Sequence, residues 1–545
     1  MSKSRKKDSH KGNQADTKKK KIPISVWFDK FLEIKFLGLW LAAFYFVVLA
    51  VISFTFHKVG DYGVETDFFW GYVPNAREFL LGNIAIDGFR GPLYPIVLGL
   101  FGFFIKDFFA AGVLIAILSA SFVIYFTFEI IRRIFSPVIA FFTTLLLILN
   151  PVFIQYTYSA GTDMFFNALA IGSLFFFLKD KKFRYLNIFL AGLIGGLSYL
   201  TRYNGVFLLG FVIVILFVNY WELKWVQRVR VSMLFIAVFL LTISPWGLYC
   251  LSEKGSFFYN ENYKNIAYEL YGKDKIAWDQ FWFKESSNYT SMMDVISRDP
   301  GLFAETIVSN IGSNFMDDMS ELMGWQWGVF IIAGLFLLII SNPIKILPAG
   351  KAGWKSRKTA FYILNIIFFT LLTLVFYSNR FSIFLIPFYG LIAVQPFFNP
   401  EIKFQKVLPK SVAYILLIGL CIYSFTNSYS FNQQRINSGP KELLLLRDWY
   451  HKNISSNEAG KKIAARKPHV AYYLDMKFYL MPLENSYESF LEKLKKDSVD
   501  YLYISPIEAA SRPQFRPLLD PNSNHPGLST VVFLRNPPSV LYKVK

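Results

Sequence analysis

The chain has 545 residues, of which 54% are hydrophobic and 19% aromatic but only 17% charged. Delivered in long uninterrupted apolar blocks, this balance describes a polytopic membrane protein and excludes a string of soluble domains. The formal charge of +19 lies largely in Met1–Lys35 and in short connections between apolar runs, where it reads as a topology signal and not as a nucleic-acid interface.

Met1–Lys35 is rich in Lys, Ser and Asp, cannot bury enough apolar surface to fold alone, and reads as a disordered basic tail. The next run, Phe36–Phe56, has 21 uncharged residues and no small-residue cleavage pattern, so it is expected to be a retained anchor and not a signal peptide. Within the following Lys58–Asp107 segment, Phe68–Leu81 can form an amphipathic helix. Leu93–Ile105 is apolar but only 13 residues long, which suits a helix that lies in the interface or re-enters. Further apolar runs occur at Phe108–Ile130, Phe135–Leu149, Met164–Leu178, Tyr185–Leu200, Gly205–Trp221, Val231–Leu251, Trp325–Ile340, Thr359–Tyr377, Phe381–Phe398 and Val412–Ser428, giving eleven expected spans. Cys250 and Cys421 fall in or at the end of such runs, so no disulfide framework is expected.

The connections sort by charge. Arg132-Arg133, the cluster Lys179–Arg184, the group Lys224, Arg228 and Arg230, and the later groups Lys345–Lys358 and Lys403–Lys410 share one side with the basic tail. By the positive-inside rule that side is cytoplasmic, which puts Lys58–Asp107, Ser252–Gly324 and the C-terminus outside. An inner-membrane location with a cytoplasmic N-terminus follows as an expectation. From Phe431 onward the composition is that of a soluble domain: Tyr487–Asp497 has helical spacing, and Asp500–Ser505, Ser529–Arg535 and Ser539–Lys545 read as strands. A small extracytoplasmic α/β domain at 431–545 is expected behind a membrane domain at 36–430.

The outer side gathers chemistry. Glu65 and Asp67 stand before Phe68, Phe69 and Trp70, whose low dielectric would raise the pKa of Asp67 as a general base requires. Asp163 opens a span on the same side, and Arg202 and Arg380 are the only basic residues of their outer turns. Carboxylates and arginines at that surface suit an anionic lipid headgroup: arginine grips phosphate with two parallel hydrogen bonds, and a carboxylate takes a proton from an incoming hydroxyl. The plain alternatives are an N-cap role for Asp67 and simple snorkelling for the arginines.

In order, "TDFFWGYVPNAREFLLG" with "RGPLYPIVLGL", "NPVFIQYTYSAGTD", "LSYLTRYNG" and "SPWGLYCLSEKGSFFYNENYKNIA" resemble the bacterial GT-C glycosyltransferases, the superfamily of the protein O-mannosyltransferases and lipid A aminoarabinose transferases (glycosyltransferase family 39-like). The resemblance is best from Trp40 to Ala267 and continues weakly through "YSNRFSIFLIPFYG". It implies a GT-C fold of about 11 transmembrane helices with interfacial helices in the first outer loop. It also implies transfer, with inversion, of a sugar from a polyprenyl-phosphate donor to a lipid, glycan or protein acceptor. On this resemblance Asp67 is the catalytic base, Asp163 an acidic companion, and Arg202 and Arg380 hold the donor phosphate. Many relatives carry adjacent acids where Thr66 here separates Glu65 from Asp67, so both remain candidates for the base.

Arg90, before "GPLYP", is a further donor-phosphate candidate or a lipid-headgroup contact. Tyr72, Tyr94 and Asn262 are the candidate acceptor contacts, since Tyr and Asn supply stacking and directional hydrogen bonds; the Tyr259–Gly272 segment equally suits a capped surface helix. Glu65, Asp67 and Asp163 carry hard oxygen ligands for a divalent cation, but no spacing demands one and no cofactor is required. Rival readings are a transporter or flippase of lipid-linked glycans, which would place ionisable residues near mid-span, and a non-catalytic scaffold for the C-terminal domain.

Overall fold

The structure, a computed structural model, describes residues 30–341, 356–374, 377–399, 402, 405, 408–454 and 460–545. Residues 1–29 of the expected tail, and Lys345, Lys351, Lys355, Lys403 and Lys406 of the basic connections, lie outside the described residues.

The expected apolar runs are helical. Leu37–Phe56, Phe108–Ile134, Trp225–Lys254, Phe381–Phe398 and the stretch from Lys410 are each long and apolar enough to cross a bilayer. The first of these leaves Trp40, Phe44, Val47 and Val51 exposed. Their spacing of four, three and four puts them on one helical face, as a lipid-facing stripe requires. Shorter apolar helices such as Thr162–Leu178 and Tyr185–Thr201 pack inside the bundle against Phe108–Ile134 and Trp225–Lys254. At the basic end Arg357 donates to the carbonyls of Arg133, Leu178 and Lys179, so three of the positive connections meet there.

Two expected spans depart from a plain helix that crosses and ends. Phe135–Leu149 is realised as Pro137–Ile148, which turns by 61° into Pro151–Tyr158. Pro151 has no N–H to continue the ladder, and Asn150 restarts the helix by accepting from the Phe153 N–H at 2.9 Å. The turn aims Tyr158–Ala160 at the first outer loop. Gly205–Trp221 breaks into a 3-10 segment (Tyr203–Leu209), one α turn (Gly210–Ile213) and a π segment (Val214–Val218). At Gly205 a Cβ would press on the backbone of Tyr199, so the chain can fold back tightly after Arg202 only with glycine there.

In the first outer loop the expected Phe68–Leu81 helix divides into a π turn (Phe68–Tyr72) and the helix Val73–Leu80. Leu93–Ile105 is helical and packs on Val73–Leu80 and Phe108–Ile134. Gly91 lies so close to the Leu200 carbonyl that any Cβ would overlap it, which brings Arg90 beside the end of the helix leading to Arg202.

The C-terminal unit is a five-stranded sheet of order β2-β1-β3-β5-β4, formed by β1 (Lys462–Ala465), β2 (Lys477–Leu480), β3 (Tyr501–Ile504), β4 (Leu528–Arg535) and β5 (Pro538–Val544). β1 is parallel to β2 and β3, while β5 runs antiparallel to β3 and β4. The sheet starts later than residue 431, because the helix from Lys410 runs on to Asn437 before the chain leaves it. The short helix His469–Tyr473 between β1 and β2 fastens the sheet to the membrane domain. Tyr473 accepts from the Gly60 N–H at 3.1 Å, Tyr472 accepts from the Phe109 N–H at 3.1 Å, and His469 Nε2 lies 3.1 Å from the Asp61 carbonyl. Burial holds the His469 imidazole neutral, its pKa lowered to about 3.

Candidate active site

A cavity of about 690 Å³ opens where the first outer loop, the 201–204 turn, the 262–283 segment, the Arg380 turn and the C-terminal sheet meet. Asp67 stands on its wall with its side chain 43% exposed, at the head of the π turn. It makes no capping hydrogen bond to that turn, so its carboxylate is directed to other partners. Oδ1 accepts from Arg90 Nη2 at 2.8 Å and Oδ2 from Arg380 Nη1 at 3.3 Å. Arg90 is oriented in turn by Asp87, which accepts from Nη1 at 2.8 Å.

The expectation that aromatic neighbours would raise the pKa of Asp67 is reversed. Burial does push it upward, but Arg380 and then Arg90 outweigh that effect and hold it down to about 2. The two guanidiniums thus hold Asp67 as a clamped carboxylate. Arg90, read from sequence as a donor-phosphate candidate or a lipid-headgroup contact, forms one half of the clamp.

Arg202 pairs with Asp163, which is buried behind it and opens the Thr162–Leu178 helix. The guanidinium carbons of Arg202 and Arg380 lie 5.2 and 5.0 Å from the centre of the Phe381 ring, so one aromatic side chain gathers both cations at the cavity wall. The Arg380 turn is pinned from below by Asp318. That fully buried carboxylate accepts from Tyr389 at 2.7 Å and from Tyr377 at 3.1 Å, with Ser382 as a third donor. Burial raises the Asp318 pKa to about 7 against the pull of those hydroxyls.

Glu65 does not line the cavity. It is 0% exposed and turned into the wall, where it accepts from the Ala160 N–H at 2.5 Å, from the Asp61 N–H at 2.7 Å, and pairs with His57 at 3.2 Å. His57, which closes the first span, is therefore part of the loop's anchorage. Of the expected acceptor contacts, Tyr72 and Asn262 line the cavity. Tyr94 does not: it is completely buried, with its ring 5.1 Å from that of Tyr72. Among the described residues no three His, Cys, Asp or Glu side chains come together to hold a metal ion.

Among the lining groups not read from the sequence are Trp278 and Trp282, one helical turn apart, and Arg466 and Lys467, just after β1 of the C-terminal unit. The tryptophan spacing was a usable signal. Nothing in "AARKPHV" indicates that its two cations reach a membrane-domain cavity.

A family model described as dolichyl-phosphate-mannose-protein mannosyltransferase matches residues 90–249. Two solved structures cover most of the chain. ArnT from Cupriavidus metallidurans bound to undecaprenyl phosphate superposes with a TM-score of 0.55 at 13% identity, over 92% of this chain and 98% of that one. The archaeal oligosaccharyltransferase AglB from Archaeoglobus fulgidus, in complex with an inhibitory peptide and a dolichol-phosphate, superposes with a TM-score of 0.54 at 13% identity, over 89% and 70% of the two chains. The chain has the GT-C fold. No curated protein matches it in sequence. The segment matched by the family model holds Arg90, Asp163 and Arg202, whereas Asp67 and Arg380 lie on either side of it. The cavity is therefore completed by residues from beyond the matched segment.

Proposed function

We propose that this protein is a membrane glycosyltransferase that moves one sugar, with inversion, from a polyprenyl-phosphate carrier to a hydroxyl of a lipid, glycan or protein acceptor. One observation carries the reading: the two oxygens of Asp67 are divided between Arg90 and Arg380 at the wall of a cavity that also presents Arg202.

On this reading the donor's phosphodiester enters between Arg202 and Arg380, which both lie against the Phe381 ring. As Arg380 turns toward phosphate, Asp67 loses one of its two counter-charges and becomes more basic, so donor binding arms the base. The acceptor oxygen then bonds to the anomeric carbon while its proton passes to Asp67. The bond from that carbon to the phosphate oxygen breaks, and its electron pair stays on phosphate. Because the departing phosphate carries more negative charge than the diester did, the arginines interact more strongly with the transition state than with the bound donor. Attack opposite the leaving oxygen inverts the anomeric centre.

The basic connections gathered around Arg357 favour a cytoplasmic location for that end of the bundle. The cavity then faces the extracytoplasmic side of the cell membrane, together with the C-terminal sheet. The test is mass analysis of surface glycolipids and glycoproteins from a strain lacking the protein, complemented with wild type or with Asp67→Asn. A sugar modification restored by wild type but not by Asp67→Asn at equal abundance supports the reading; full restoration by the variant removes Asp67 from the chemistry.

A further inference from the structure

Lys467 follows β1 where the chain turns, through Pro468, into the helix that fastens the sheet to the membrane domain. Its ammonium reaches the cavity and donates to Thr66 Oγ1 at 3.0 Å, at the residue immediately before Asp67. The Thr66 hydroxyl proton is already used, donated to the Tyr62 carbonyl at 2.6 Å. An ammonium has three donors, and Lys467 makes no ion pair with any described carboxylate. Asp279, which also lines the cavity, is already shared between Arg466 at 2.9 Å and Arg512 at 3.1 Å.

The surroundings give Lys467 little compensation from the protein itself. The lining carries Arg90, Arg202, Arg380, Arg466 and Lys467 against Asp67 and Asp279, and although Asp87 and Asp163 behind the wall pair with Arg90 and Arg202, no carboxylate is paired with Lys467 among the described residues. Burial, and then the adjacent Arg466, lower the Lys467 pKa. A cation with unused donors, placed rigidly among like charges, is electrostatically incomplete until an anion arrives. Rigidity comes from the same short helix, because His469, Tyr472 and Tyr473 are each hydrogen-bonded to the membrane domain.

We propose that Lys467 binds a phosphate-class oxyanion of a substrate beside Asp67, so that the C-terminal domain completes the active site. This rests on the sugar-transfer reading of the cavity. The oxyanion has two sources, the donor's phosphate or an acidic group on the acceptor, and the test separates them.

The experiment uses the full-length protein in detergent, with undecaprenyl phosphate and inorganic phosphate as probes and the fluorescence of cavity tryptophans as readout. Lys467→Met is compared with Lys467→Arg, Thr66→Val and Arg202→Met, all checked for unchanged melting temperature. Loss of a charged hydrogen bond predicts weakening by about 10- to 100-fold. If Lys467→Met weakens undecaprenyl phosphate binding to that extent and Lys467→Arg restores it, the donor's phosphate is the ligand. If that binding is unchanged but inorganic phosphate no longer binds to the undecaprenyl-phosphate-loaded protein, the site takes the acceptor's anion. The proposal is overturned if Lys467→Met leaves both bindings intact, or if Thr66→Val reproduces its effect, since the lysine then only docks the domain. Lost binding in Arg202→Met alongside intact binding in Lys467→Met leaves the sugar-transfer reading standing alone; a wild-type protein that binds neither probe overturns both.

Discussion

Arg380 donates to Asp67 across 3.3 Å although 313 residues of chain separate them. Asp67 is thereby neutralised in the resting cavity, so Asp67→Asn should divide binding from chemistry. The amide keeps an oxygen for Arg90 but cannot take a proton, and it leaves both arginines with charge to spare for phosphate. Transfer should fall by about 10²- to 10⁴-fold, the usual contribution of a positioned base. Undecaprenyl phosphate should bind at least as tightly as to wild type. Titration of the purified variant checks this, and weaker binding would show that Asp67 helps to hold the carrier.

Phe381 predicts how the two arginines differ from lysines at the same positions. A guanidinium stacks on the ring and still presents a planar fork to phosphate; an ammonium does neither. Arg202→Lys and Arg380→Lys should therefore each lose about 1.5–3 kcal/mol of the interaction with the leaving phosphate. Arg380→Lys should show the larger fall in kcat, because it also loosens the contact that governs Asp67. Steady-state kinetics with a synthetic polyprenyl-phosphate sugar separates the two, and equal effects on kcat would count against the arming role of Arg380.

Much of this was legible before folding. Long apolar runs announce helices whatever their neighbours, and Arg202 and Arg380 stood out as single cations in otherwise uncharged outer turns. What the sequence could not carry was direction and partnership. Glu65 and Asp67 are separated only by Thr66, yet the turn between them sends one into the wall and the other to the cavity. The aromatic neighbours of Asp67 pointed toward a raised pKa, whereas the effect that wins comes from two guanidiniums brought in by distant turns. β1 and β2 are four-residue strands too short for a periodic signal, so the route by which Lys467 enters the cavity was hidden with them.

Asp318 gives the protein a pH signature outside the chemistry. Its carboxyl titrates near 4 when unfolded and at about 7 in the fold, where burial is the largest cause. Between those values the native state keeps a proton that the unfolded chain has released, so stability falls as pH rises through that window and levels off above it. The slope is at most about 1.4 kcal/mol per pH unit from this one group. Melting temperatures measured from pH 4 to 8 should show the decline in wild type and a flatter profile in Asp318→Asn. Superimposable profiles would mean that the carboxyl is not protonated in the native state.

Glu65 should behave as the opposite of its neighbour. It accepts from two backbone N–H groups, one of them on Ala160 beyond the bent helix pair, and from His57 at the end of the first span. Removing it leaves those donors buried without a partner, at about 1–3 kcal/mol for the group lost. Glu65→Ala should therefore lower the melting temperature and the yield of folded protein, while the fraction that folds keeps its affinity for undecaprenyl phosphate. Glu65→Gln, which retains one acceptor oxygen, should recover part of the stability. The measurement that decides is activity per folded molecule: a base would lose it in the glutamine variant, and a buried tie between loops would not.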